Sequence, residues 1–117
     1  MAVAERHCFA LDLVDDAALI EEYRRMHKPG AVWPEIIEYI RRQGIVSMQI
    51  WHLDDRLFMI VEAEEGYPRI PQGEALHAAN ERWEKLMSTF QRRLARAATD
   101  VKWAPMRCIF DLDEHSV

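Results

Sequence analysis

Tyr23 and His27 stand four residues apart in a stretch with helical periodicity, so their side chains leave one face of a helix. The imidazole titrates near neutrality, whereas a phenol holds its proton to about pH 10. Side by side they suit acid–base work on a small molecule, which needs neither metal nor cofactor. Reversible opening of a cyclic hemiacetal has those requirements: a proton leaves the anomeric hydroxyl while another reaches the ring oxygen. The same spacing also suits two packed side chains on a buried helix face.

Four tryptophans, Trp33, Trp51, Trp83 and Trp103, are many for so short a chain. Indole offers a flat face to the apolar C–H surface of a sugar and an N–H to a hydroxyl. Core filling is the competing reading, strongest for Trp83, which lies centrally on the apolar stripe of a long predicted helix. The five histidines, His7, His27, His52, His77 and His115, have no HxH or HExxH spacing. His52 with Asp54 and Asp55 reads as a solvated turn. Dinucleotide fingerprints, phosphate-binding loops and nucleophile elbows are absent too. The expectation is chemistry with no metal and no cofactor.

Composition narrows the class. The 117 residues suit a single domain spanning 1–117, and half of them are hydrophobic, enough for a core. The longest apolar runs, such as Leu57 to Val61, are strand-length, so no membrane association is expected. A net charge of −5, with dispersed rather than clustered Lys and Arg, argues against nucleic acid as a partner. The opening residues, Met1 to His7, do not form a secretion signal, which points to a cytoplasmic location. Cys8 and Cys108 lie in apolar runs and read as small buried hydrophobes in a reducing compartment.

The elements that must position the chemistry follow from periodicity. Arg6 to Val14 alternates as a strand, and Asp15 and Asp16 offer a helix cap. A helix follows from Ala17 until Lys28-Pro29-Gly30 stops it. A second helix starts near Trp33-Pro34-Glu35 and ends at Gly44, with Ile36, Ile37 and Ile40 as its stripe. Strands at 45–53 and 56–63 meet at an Asp54-Asp55 turn. After a Gly- and Pro-containing loop, a long helix is predicted over 74–97, carrying Arg92, Arg93 and Arg96. A final strand is predicted over 106–112. This order is the α+β, ferredoxin-like βαββαβ arrangement: a four-stranded antiparallel sheet with its helices on one face. Both faces of the strands are rich in apolar residues, which favours a homodimer packed sheet on sheet.

The run EEYRRMHKPGAVWPEI, residues 21–36, resembles the signature of the L-rhamnose mutarotase family, which includes L-fucose mutarotases. RLFMIVEA is similar to the family's third-strand region, ERWEKLMSTFQ to its second-helix region, and KWAPMRCIFDL to the C-terminal strand of fucose-type members. The resemblance implies a dimeric α/β-barrel form of the ferredoxin-like fold, no cofactor, and exchange of α and β anomers of a 6-deoxy-L-sugar. Carried over by position, His27 matches the family's proton-donating histidine and Tyr23 its substrate-binding tyrosine. Trp83 matches the first of a tryptophan pair that contacts sugar. Three departures bear on the sugar pocket: Glu84 replaces the second tryptophan, Met48 stands where a second-strand tyrosine is expected, and the stretch between His27 and Trp33 is longer than in the rhamnose type. With Tyr23 and His27 as the catalytic pair, the substrate-binding candidates are therefore Trp83, Trp33, Met48 and Glu84, and L-fucose stands beside L-rhamnose as substrate. The rival reading is a cofactor-free oxygenase or ligand-binding protein of the same dimeric ferredoxin-like type. The HKPGAVWPE segment after Tyr23 is the feature that separates the two.

Overall fold

A computed structural model describes residues 5–98 and 101–116. Its elements are β1 (Glu5–Leu13), α1 (Ala17–Met26), α2 (Pro34–Arg42), β2 (Ile45–Leu53), β3 (Arg56–Ala63), α3 (Glu74–Ser88), β4 (Gln91–Arg92) and β5 (Ala104–Met106). Local chemistry sets several boundaries. Asp16 caps α1 by accepting the Leu19 N–H at 3.0 Å. Pro34 begins α2, where its missing N–H costs no helix hydrogen bond. Asp54 takes φ of 57° in the turn between β2 and β3, a left-handed conformation that aspartate tolerates.

The sheet runs β2-β3-β1, and β4 and β5 both pair with β1; every pairing is antiparallel. This order, with three helices, is consistent with a ferredoxin-like fold. In the ladders Leu11 faces Leu57, Phe9 faces Met59 and His7 faces Val61, while His52, Ile50 and Met48 face the same three β3 residues from the other side. Opposed residues share a sheet face. Onto the Leu57 face pack Tyr23 of α1, Ile36 of α2, and Trp83 and Met87 of α3, with Leu13 and Phe90 completing the cluster. The alternate residues, Ala10, Phe58 and Trp51 among them, make up the face that no helix covers. Trp51 there is 60% exposed and Leu53 81% exposed.

Two boundaries differ from expectation. The third helix ends at Ser88 rather than near Ala97, because the chain turns so that Gln91 pairs with Leu13 and Arg92 with Asp12. The Val14 N–H then donates to the Phe90 carbonyl at 2.8 Å. Arg92, Arg93 and Arg96 consequently stand outside the helix. The final strand covers only Ala104–Met106, beside Cys8 to Ala10, and the chain then leaves the sheet for a 3-10 turn at Leu112–Glu114. Ile109, Phe110 and Leu112, whose apolar character suggested a strand, are exposed. The described sheet thus has five strands instead of four, two short ones sharing the edge expected for one. Cys108 is likewise exposed rather than buried, Cys8 is half-buried, and both are free thiols. No described helix is long and apolar enough to cross a membrane.

Candidate active site

Helix α1 brings Tyr23 and His27 together from successive turns, with ring centroids 4.2 Å apart. Tyr23 is 3% exposed and lies edge-on to Phe90. His27 sits at the C-terminal cap of the helix and folds back, so that its Nδ1 lies 2.6 Å from the Tyr23 carbonyl oxygen. A carbonyl only accepts, so Nδ1 carries the proton and Nε2 holds the lone pair of the neutral ring. Burial pushes the imidazole below its ordinary pKa, against the Tyr23 carbonyl, which favours the protonated ring. At neutrality His27 is therefore a free base, presenting Nε2.

Burial acts on Tyr23 in the opposite sense, pushing the phenol up to about 12, with the nearby Glu84 carboxylate adding to the rise. The Gln91 amide opposes that rise by donating from Nε2 to the phenolic oxygen at 3.1 Å. At neutral pH the phenol therefore keeps its proton. Two indoles border the pair: Trp83 of α3 lies edge-on to His27 at 5.8 Å, and Trp33, at the start of α2, is edge-on to Trp83 at 5.1 Å. Such edge-to-face contacts each add about 0.5–1.5 kcal/mol beyond burial and hold the rings in place.

The chain matches the L-rhamnose mutarotase family over residues 6–112. An L-fucose mutarotase of Xanthomonas campestris pv. campestris is 40% identical over 114 residues, covering 94% of this chain and 90% of that protein. A UPF0734 protein of Dictyostelium discoideum is 40% identical over 111 residues, covering 89% of this chain and 86% of its own. The chain belongs to the L-rhamnose mutarotase family. By that membership it is an isomerase.

In this mutarotase-family chain, four of the six residues singled out from sequence form one cluster: Tyr23, His27, Trp33 and Trp83. Met48 packs elsewhere, against Ile45, Met59, Val61 and Ala63, and lines a groove of ≈ 340 Å³ between α2 and β2. Trp103 links the two regions, since it packs on both core clusters. Glu84 is exposed at the rim, where it accepts from Lys102 Nζ at 2.8 Å. A larger groove, ≈ 950 Å³, lies away from the Tyr23–His27 cluster, between the uncovered sheet face and the C-terminal segment. The Tyr23–His27 cluster is the candidate active site: an imidazole, a phenol and two indoles meet there.

Two residues of this neighbourhood carry no signal in the sequence alone. Gln91 reads there as a polar position on a long helix, and only its pairing with Leu13 turns it towards Tyr23. Lys102 reads as loop, yet it donates to Glu84 and to the Ser88 hydroxyl, at 3.0 Å for the latter, tying the approach to Trp103 onto α3. Among the described residues no three His, Cys, Asp or Glu side chains converge on one point.

Proposed function

We propose that the protein is an aldose mutarotase, a single domain exchanging the α and β anomers of a 6-deoxy-L-sugar, either L-fucose or L-rhamnose. The observation that carries this reading is the geometry of the cluster: His27, with Nδ1 on the Tyr23 carbonyl, lies ring against ring with Tyr23 and edge-on to Trp83, which meets Trp33. Nε2 takes the proton from the anomeric hydroxyl, and the resulting imidazolium hands it to the ring oxygen as the C1–O5 bond breaks. Rotation about C1–C2 presents the other face of the aldehyde, and the steps reverse. One proton shuttles between two oxygens, and no atom is gained or lost. Tyr23 orients the sugar by donating its O–H, while Trp83 and Trp33 face the apolar C–H surface.

Selectivity between the two sugars is assigned to Glu84, the departure from the rhamnose type that stands at the rim of the cluster, and not to Met48, which packs away from it. L-fucose is the first sugar to test, since the Xanthomonas relative is named for it. The reading includes a homodimer formed through the uncovered sheet face, supported by the apolar side chains exposed there. It also includes a cytoplasmic location, supported by two free thiols. The test is exchange NMR on L-fucose and L-rhamnose at catalytic protein concentration. Acceleration of one or both is expected. Rates equal to the spontaneous exchange for both sugars would remove the proposal.

A further inference from the structure

Gln91 lies just beyond α3, where the ladder sets it opposite Leu13 and so on the helix-covered face of the sheet. Its Nε2 donates to the Tyr23 hydroxyl at 3.1 Å. The other amide atom, Oε1, is enclosed, and no described residue donates to it. A buried amide oxygen without a partner destabilises the fold, and a methionine would fill the same space without that penalty. The bond to Tyr23 gives folding a reason for the amide N–H, but none for its enclosed oxygen.

Binding gives one. With Nε2 on the phenolic oxygen, the Tyr23 hydrogen and Gln91 Oε1 are left over, one donor and one acceptor. If the amide is turned about, the phenol donates to Oε1, leaving a phenolic lone pair and the amide N–H groups. In either orientation the pair presents a donor beside an acceptor. A hydroxyl is donor and acceptor at once and satisfies both, whereas a carboxylate meets only the donor and an ammonium only the acceptor. The Tyr23 ring in turn lies against His27. We propose that Gln91 is a positioning and sugar-binding residue: its amide fixes the Tyr23 phenol, and the two together hold one sugar hydroxyl beside the carbon on which His27 acts. This assignment rests on the mutarotase reading and adds the residue that orients the sugar within it.

Gln91→Met, made in the full chain, separates binding from structure. The thermal midpoint of the free variant should stay near that of the wild type, because the unmet buried acceptor goes while the Tyr23 hydroxyl loses one donor. Half-maximal exchange should need roughly tenfold more sugar, as for loss of one hydrogen bond. Combining Gln91→Met with Tyr23→Phe should do little more than the worse single change, since both break one unit. Gln91→Asn, which withdraws the amide by one methylene, reads the same quantities should Gln91→Met fold poorly. A lowered midpoint with unchanged sugar dependence would mark Gln91 as structural and overturn the assignment, leaving the mutarotase reading intact. Wild-type protein that accelerates neither sugar would overturn that reading, and this one with it.

Discussion

At His27 two neighbours pull in opposite directions. Enclosure against Trp83 and Tyr23 disfavours the charged ring, and the Tyr23 carbonyl favours it; burial is the larger influence, so the pKa lies below 6.5. Anomer exchange should therefore hold steady above about pH 6.5 and fall on an acid limb whose midpoint lies below that value, because protonated Nε2 accepts nothing. The sign for stability is the same. The unfolded chain binds this proton more readily than the folded protein, so the contribution of His27 is complete above pH 6.5 and drains as pH drops through the folded value. His27→Ala should lower exchange by about 10²–10⁴-fold, the usual loss for a general acid–base group, while α1 persists because alanine is the better helix former. Exchange NMR across pH, with circular dichroism as the folding control, checks both. A folded His27→Ala protein with near-wild-type exchange refutes the role. This pair was legible in the sequence because a spacing of four on a helix is a local property. Gln91 was not, because what aims it at Tyr23 is a strand pairing with a residue distant in the chain.

Among the elements, β1 holds the sheet together, since β3, β4 and β5 all pair with it. Asp12 reinforces that junction. Although only 7% exposed, it accepts from Arg56 of β3 at 2.8 and 3.3 Å, and Arg92 of β4 approaches it at 3.7 Å. The Arg56 hydrogen bonds hold its carboxyl below the ordinary carboxylate value, outweighing the cost of burial. Asp12→Asn should lower stability at neutral pH by about 1–2 kcal/mol, at the lower end for a charged hydrogen bond because Arg56 is largely exposed. A depressed carboxylate contributes above its unfolded pKa, near 3.8, and the contribution disappears as pH falls through the folded value. Denaturation curves of the two proteins should thus converge in acid; a gap that persists at low pH would mean that packing, not charge, is responsible. The strands at 45–53 and 56–63 were readable to the residue, because alternation and an Asp-Asp turn are local. The end of α3 was not: Phe90 and Leu94 continue the helical period, and the pairing of Gln91 and Arg92 with β1 overrides it.

For the whole molecule, the helices cover one side of the sheet and leave the other open, with the Arg6–Glu62 and Arg56–Asp12 pairs toward its ends and apolar side chains between them. Trp51 and Leu53 on β2, Met106 on β5, and Ile109, Phe110 and Leu112 beyond it are all exposed. In the proposed homodimer these side chains would be covered, the same patch serving both partners. The groove between the C-terminal segment and this face, with Cys8, Phe58 and Phe110 in its lining, adds concave surface that an opposing sheet of the same kind would fill. A stable pair needs roughly 800 Å² from each partner. Light scattering at micromolar concentration should therefore give twice the mass of 13.8 kDa, and the thermal midpoint should rise with protein concentration. Phe110→Asp isolates the interface from the fold. Phe110 is 65% exposed in the protomer, so its replacement should change protomer stability by no more than about 0.5 kcal/mol. In the dimer the same change buries an unpaired carboxylate, which should shift the population to monomer. Wild-type protein that is monomeric at that concentration and fully active would refute the assembly. Dimeric Phe110→Asp protein would place the contact elsewhere on the sheet, away from the C-terminal segment.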